Sequence, residues 1–188
     1  MNMKRLGEIM ESEIGQTPEI FAKIISSDLI SDQLATLIKD SEIHSVLVLA
    51  RGTSDNAAHF FKYLVETQLG LPCGLTSPSS VSIYNSKLHY EKTLVVAISQ
   101  SGKSTDLVEF AKAAKNAGAK LVSMTNDSSS PLATNADFHI SLQGKRIFGE
   151  FALDRKSHFA SILGFVWFLN NDIDLSILAR HYSPYYIA

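Results

Sequence analysis

Residues 94–106 read Leu-Val-Val-Ala-Ile-Ser-Gln-Ser-Gly-Lys-Ser-Thr-Asp, and this stretch is the most informative part of the sequence. The apolar run 94–98 predicts a buried strand, and a loop of glycine and hydroxyl-bearing residues follows at once. A helix is predicted from Ser104. Small side chains let a backbone approach its ligand closely, and N–H groups and hydroxyls then converge at the positive end of the helix. The junction therefore predicts a phosphate-binding loop whose ligand is a phosphorylated small molecule.

Short apolar strands alternate with helices on both sides of this stretch. Strands are predicted at 45–50, 72–76, 93–98, 120–125 and 138–141. Helices are predicted at 56–69, at 104–117 and, in shorter form, after residue 80 and over 131–135. Strands that are apolar almost throughout indicate a parallel sheet covered on both faces. Right-handed crossovers then give a doubly wound α/β domain, a five-stranded parallel sheet in the flavodoxin-like order 2-1-3-4-5.

An N-terminal helical segment is predicted ahead of this domain, over residues 1–40. Thr17 before Pro18 supplies an N-cap hydroxyl and a proline at the first helical position. The domain itself is expected to span 41–188 and to include a C-terminal helix and tail. That helix, over 159–169, is nearly apolar all round, which predicts burial in the domain's own core, against a partner subunit or against a second domain.

Two hydroxyl-rich loops follow predicted strands, residues 51–55 after the first strand and 99–104 after the third. Ligands of open α/β sheets bind at the carboxyl ends of the strands, where the strand order reverses. In the order 2-1-3-4-5 the first and third strands are neighbours. We therefore expect the two loops to face each other across one pocket.

Charge and hydropathy argue against several classes of protein. The 188 residues carry a net charge of −2, which argues against a nucleic-acid surface. The longest apolar run, 162–169, is far shorter than a membrane span. The first residues lead into mixed charge, so no signal peptide is predicted. Cys73 is the single cysteine, which excludes an internal disulfide and fits a reducing, cytoplasmic location.

Taken together, the two loops resemble the sugar isomerase (SIS) domain. The motifs that carry the resemblance are Arg51-Gly52-Thr53-Ser54, Ser99-Gln100-Ser101-Gly102 and Ser104-Thr105-Asp106. The similarity extends through Pro78-Ser79-Ser80 and 122–127, and it covers about 10–142. Most of all, the chain resembles the first SIS half of the isomerase module of glutamine–fructose-6-phosphate aminotransferase and of related aminosugar-phosphate isomerases and deaminases.

The resemblance implies a role for each matching residue. The phosphate would be held by Ser99, Gln100, Ser101 and Ser104, and the phosphate end or the sugar hydroxyls would contact Gly52, Thr53 and Ser54. Hydroxyls and backbone N–H groups suit a dianion because they donate without adding negative charge. Lys103 stands where many members carry Glu, and it either adds positive charge near the phosphate or is a solvated surface lysine. For the whole stretch, the alternative is a serine-rich turn that binds no ligand.

The catalytic residues have only weak candidates. Aldose–ketose isomerisation needs a base that moves a proton between two carbons. His59, four residues after Asp55 on a helix, is the best histidine candidate, with a helix-face histidine as the alternative. Glu150 is the second candidate, from a segment that departs from the family pattern. In the aminosugar enzymes the catalytic glutamate, the ring-opening histidine and a C-terminal lysine lie in a second SIS half, and this chain ends where that half would begin.

No metal site and no cofactor is predicted. Among the histidines, no pair has the spacing of metal ligands together with a carboxylate partner. His139, inside a predicted buried strand, is expected to be a core residue with its hydrogen bonds satisfied. Cys73, beside Pro72 at a strand start, is expected to pack in the core rather than to act as a catalytic thiol.

Two functions are consistent with the resemblance, and both use a small-molecule sugar phosphate as the partner. The first is an isomerase or deaminase that acts on a hexose or aminohexose 6-phosphate and is completed by dimerisation, so that a homodimer is expected. The second is a sugar-phosphate-binding module without turnover, or the truncated half of a double-SIS protein. A structural dimer that binds nothing is a third reading. Turnover of fructose 6-phosphate or glucosamine 6-phosphate distinguishes the first function from the others.

Overall fold

The computed structural model describes residues 36–37 and 41–142. The rest of the predicted N-terminal segment 1–40 lies outside the described residues, and so do Glu150 and the predicted C-terminal helix and tail. The division of the chain at residue 40 stays a prediction.

Five parallel strands form one sheet in the order β2-β1-β3-β4-β5. They are β1 (Ser45–Leu49), β2 (Cys73–Leu75), β3 (Thr93–Ile98), β4 (Lys120–Thr125) and β5 (Phe138–Ser141). β3 is buried along its whole length, because neighbouring strands flank it and helices cover both faces. The predicted α/β class and the predicted strand order are both confirmed.

Four helices connect the strands within the described part of the chain: α1 (Thr53–Leu64), α2 (Ser79–Ser82), α3 (Thr105–Asn116) and α4 (Pro131–Asn135). The first continues as a π-helical turn, Val65–Leu69, and ends at Gly70 with a φ of 64° that glycine adopts at low cost. It begins at residue 53, earlier than the predicted 56, because Gly52 with a φ of 60° turns the chain directly from β1 into the helix.

Two apolar clusters, one on each face of the sheet, hold these elements together. Phe61 of α1 belongs to the cluster that contains Val96 and Met124. Phe110 of α3 belongs to the cluster on the opposite face, with Val95. Full burial of a side chain of this size contributes about 1.5–3 kcal/mol. α1 and α3 therefore cover opposite faces, while both begin at the carboxyl edge of the sheet.

The structure bears on two sequence predictions, the lack of a membrane span and the packing of Cys73. No helix in the described ranges is long and apolar enough to cross a bilayer. Cys73 is buried at the start of β2, and burial, with a smaller contribution from Glu66, raises the pKa of its thiol to about 12. The thiol therefore stays protonated and packs in the core, as predicted.

Candidate functional site

The loop between β3 and α3, residues 99–104, is held in shape by two of its own serines. Ser99 is buried, and its Oγ accepts a hydrogen bond from the N–H of Gly102 at 3.2 Å. The Oγ of Ser101 accepts one from the N–H of Lys103 at 3.3 Å. Both hydroxyls are used here as acceptors, so each can still donate its proton. The structure thus places a preformed turn at the carboxyl edge of the sheet.

Gln100 lies half-buried next to these serines. Its carbonyl accepts a hydrogen bond from the N–H of Asn126 at 3.0 Å, which ties the loop to the segment that follows β4. A main-chain hydrogen bond from the loop after β4 therefore fixes the backbone of Gln100.

Gly102 lets the loop approach α4 closely. Its φ of +63° lies in the left-handed region, and a Cβ at this position would lie 2.7 Å from the Cβ of Ser130. Its carbonyl accepts a hydrogen bond from the N–H of Leu132 at 3.1 Å. Both the backbone conformation and the available space therefore require glycine here.

The N-terminus of α3 is open. Ser104 is the N-cap residue, but its side chain makes no capping hydrogen bond. The first bond of the helix runs from the N–H of Val108 to the carbonyl of Ser104 at 3.0 Å. The N–H groups of Thr105, Asp106 and Leu107 consequently have no acceptor within the helix. Since Ser104 and Thr105 are exposed, donors and the positive helix end are accessible to an anion.

A second helix begins beside it, after the neighbouring strand β1. Leu49 of β1 pairs with Ala97 of β3, so the two strands end together at this edge. Gly52 is the N-cap residue of α1, and this helix also has no side-chain cap. Thr53 is the first residue of α1, and Ser54 after it is buried. The structure thus brings both predicted loops to one edge of the sheet.

Two ion pairs join the loops at this edge. Arg51, which follows β1, donates from Nη1 to Oδ2 of Asp106 in the first turn of α3. The Nζ of Lys103 lies 2.9 Å from Oδ2 of Asp127, which follows β4. Hydrogen bonds from Ser129 and from Lys103 lower the pKa of the Asp127 carboxyl to about 2. The side chain of Lys103 is 63% exposed, which agrees with the alternative of a solvated surface lysine, and it pairs there with Asp127.

The two catalytic candidates stay predictions. His59 lies on the exposed side of α1, with 60% of its side chain accessible and its Nε2 3.7 Å from Oδ2 of Asp55. This is the position of a helix-face histidine, the alternative interpretation of the sequence. Glu150 lies outside the described residues. Within the described ranges, no cluster of three His, Cys, Asp or Glu side chains could hold a metal ion.

His139 lies half-buried in β5. Its Nδ1 lies 3.1 Å from the Oγ of Ser123, but its buried Nε2 has no hydrogen-bond partner among the described residues. Burial lowers the pKa of the imidazole. The described residues therefore satisfy one ring nitrogen, and for the other nitrogen the expectation of a satisfied core histidine stays a prediction. β5 is the last strand of the described sheet, so no further strand in that part of the chain supplies a partner.

Three residues of this edge were not singled out as functional from the sequence: Arg51, Asp106 and Ser130. Ser130 directly before Pro131 is a recognisable helix start, an N-cap hydroxyl followed by proline at the first position. The pairing of Arg51 with Asp106 joins residues 55 positions apart in the chain, and no local pattern signals it.

Comparison with known proteins identifies the domain that carries these loops. The model of the SIS domain matches residues 41–168, which is more than half of the chain. The chain belongs to the SIS-domain family. One relative of this SIS chain is the isomerizing glutamine–fructose-6-phosphate aminotransferase of Sulfurisphaera tokodaii, 32% identical over 136 residues that cover 70% of this chain and 22% of that protein. The SIS chain spans about a fifth or less of the length of such curated relatives.

Solved structures agree with this assignment. A candidate phosphosugar isomerase from Silicibacter pomeroyi DSS-3 superposes with a TM-score of 0.81 at 28% identity, over 90% of the SIS chain and 52% of that chain. The NanR protein of Vibrio vulnificus, solved in complex with ManNAc-6P, has a TM-score of 0.67 at 17% identity, over 93% of the SIS chain and 66% of that chain. At that identity the second likeness shows the fold alone. The family resemblance drawn from the two loops is confirmed.

Proposed function

We propose that this SIS chain binds a hexose or aminohexose 6-phosphate at the carboxyl edge of its sheet. The open N-terminus of α3 carries the proposal: the exposed Ser104 caps nothing, and the first-turn N–H groups have no acceptor within the helix. A phosphate dianion satisfies such donors. In this proposal the phosphate is held by Ser99, Gln100, Ser101 and Ser104, and the sugar end contacts Gly52, Thr53 and Ser54.

The serines of the loop differ in what they can contribute. Ser99 is buried and supports the turn through Gly102, so we expect it to act mainly on the shape of the loop. Ser101 is half-buried and Ser104 is exposed. Ser104 is also free of the capping bond that an N-cap serine usually makes. These two hydroxyls are therefore the ones expected to donate directly to the ligand.

As the activity of this site, we propose aldose–ketose isomerisation or deamination of the bound sugar phosphate, by a cytoplasmic homodimer. The relationship to isomerizing aminotransferases and to a candidate phosphosugar isomerase supports this proposal. His59 and Glu150 stay the candidates for the base that the reaction requires. The second candidate function is sugar-phosphate binding without turnover. The exposure of His59 and its position next to Asp55 favour that second function.

Calorimetric titration of the full chain with fructose 6-phosphate and glucosamine 6-phosphate, with glucose as a control, tests the binding. We expect heat of binding with the phosphorylated sugars only. Ser101→Asp places a carboxylate in the loop and should weaken binding on the order of tenfold or more, because like charges repel. Asn116→Asp adds the same charge at the other end of α3, about 18 Å away, and should leave the affinity unchanged. Equal affinity of both variants would contradict the site.

A turnover assay then separates the two functions. Interconversion of fructose 6-phosphate and glucose 6-phosphate, and release of ammonia from glucosamine 6-phosphate, are measured on the same preparation. Turnover that His59→Gln abolishes without changing the dissociation constant would support an enzyme with His59 as its base. Binding without either reaction would support the non-catalytic module.

A further inference from the structure

We propose that Arg51 serves the phosphate site by neutralising Asp106, so that the first turn of α3 can accept a dianion. This inference rests on the proposed binding of a sugar phosphate. It assigns a task to the ion pair that crosses from the loop after β1 to the helix after β3. Neither partner has a role in the proposed contacts with the phosphate or the sugar.

The position of Asp106 creates the need for a neutralising partner. Asp106 is the second residue of α3, two positions after the N-cap residue Ser104. A carboxylate in the first turn is itself favoured by the positive helix end, and it opposes a second negative charge at the same place. Unpaired, it lies well within the Debye length of about 8–10 Å from any phosphate bound at this turn, so the repulsion is only partly screened.

Arg51 is suited to cancel this charge. Its side chain is 65% exposed, whereas that of Asp106 is 24% exposed, so the guanidinium is the more solvent-accessible partner of the pair. Arginine stays protonated at every physiological pH, which makes the compensation permanent. Because β1 and β3 are neighbours, the pair also ties the two loops of the site together.

The second ion pair of this edge shows why Arg51 and not Lys103 has this task. Lys103 pairs with Asp127, which lies after β4 and outside α3. Removing Lys103 therefore exposes no carboxylate in the first turn of α3. Removing Arg51 leaves the carboxylate of Asp106 unpaired in that turn. The loss of Arg51 is therefore expected to weaken phosphate binding more than the loss of Lys103.

The experiment is a double-mutant cycle on the full chain, with fructose 6-phosphate, glucosamine 6-phosphate and inorganic phosphate as probes. Arg51→Gln should raise the dissociation constant by about three- to tenfold at low salt, and less at high salt. Asp106→Asn should leave it unchanged or lower it. The double variant should return to within about twofold of the wild type, so that the two effects are not additive.

Lys92→Gln is the matched control. It removes the same charge from another ion pair, which lies at the amino edge of the sheet. In that pair the Nζ of Lys92 lies 2.7 Å from the Oε2 of Glu42. We expect no change in affinity. Since Lys92 and Arg51 change the net charge equally, a weakening confined to Arg51→Gln reports position rather than total charge.

The outcomes separate this inference from the proposed function. Wild-type protein that binds the sugar phosphates, together with Arg51→Gln of unchanged affinity, overturns the inference and leaves the proposed function intact. A double variant as weak as Arg51→Gln also overturns it, because Arg51 then acts on the ligand and not on Asp106. Wild-type protein that binds none of the probes overturns the proposed function and the inference with it.

Discussion

Helices α3 and α4 both begin after a serine at the same edge of the sheet, yet one N-terminus is open and the other is closed. At α4, Ser130 is buried and its Oγ accepts a hydrogen bond from the N–H of Ala133 at 3.3 Å. The N–H of Leu132 donates to the carbonyl of Gly102 at 3.1 Å. At α3, Ser104 is exposed and makes no capping bond.

The difference lies in which acceptors reach the first turn. At α4 the loop 99–104 and the N-cap serine supply them, and Pro131 at the first position has no N–H to satisfy. At α3 the side chain of the N-cap residue Ser104 does not do so. The closed end therefore supports the loop from behind, and the open end leaves its donors for a ligand. A serine before a helix can serve the fold or the site, and the surrounding contacts decide which.

Gly102→Ala disturbs the contact between the loop 99–104 and the N-terminus of α4, and we expect it to have the largest effect on stability. A Cβ here would lie 2.7 Å from the Cβ of Ser130, at a φ of +63°. We expect the free energy of unfolding to fall by about 2–4 kcal/mol and sugar-phosphate binding to be lost. Gly70→Ala is the control: its φ is +64°, but nothing lies within 4 Å of the added carbon.

Gly70→Ala should therefore lose only the cost of the left-handed backbone, about 1–2 kcal/mol. Urea denaturation of both variants measures the difference. A loss at position 102 that is no larger than the loss at position 70 would show that the loop and α4 are not in close contact.

Exchange of each serine for alanine tests the comparison itself. Ser130→Ala leaves the N–H of Ala133 without its acceptor, so the free energy of unfolding should fall by about 1–2 kcal/mol. Ser104→Ala removes no capping bond and should change stability by less than about 0.5 kcal/mol. It should raise the dissociation constant of the sugar phosphate roughly tenfold, because a hydrogen bond to a charged group is lost.

Denaturation and calorimetry on the same preparations check both halves of that prediction. If instead Ser104→Ala is the more destabilising variant and leaves the affinity unchanged, Ser104 is a structural cap. The N-terminus of α3 would then not be open to a ligand.

The smallest effect is expected from the dependence of stability on pH, through His139 in β5. Burial lowers the pKa of His139 below its usual 6.5. As the pH falls through 6.5, the unfolded chain takes up a proton that the folded chain does not. The free energy of unfolding should therefore decrease from about pH 7.5 to pH 5.5, and this group contributes no slope above that range.

Unfolding in urea at several pH values checks this prediction. His139→Gln should flatten the slope, whereas His89→Gln, at an exposed position, should leave it as it is. An unchanged slope in His139→Gln would assign the pH dependence to other groups.

Much of the fold follows from local patterns. Strands β3, β4 and β5 were predicted with their observed bounds, because each is a short apolar run that polar or turn-forming residues interrupt. Their alternation with helices was enough for the strand order, since right-handed crossovers leave few alternatives. The start of α1 was predicted too late because polar residues suit a loop and a first helical turn equally well.

The candidate site divides in the same way. The predicted order of the strands is enough to place its two loops at one edge of the sheet. Which serine caps a helix, which carboxylate Arg51 pairs with, and whether both nitrogens of His139 find partners were decided only in the folded chain. The ion pair and the contact of His139 join groups that are distant in sequence and meet through packing. The cap of Ser130 is a local contact, but the loop 99–104 that packs against Ser130 comes from a distant part of the chain. Local periodicity indicates which face of a helix or strand is buried, and it carries no information about which side chain of another element that face contacts.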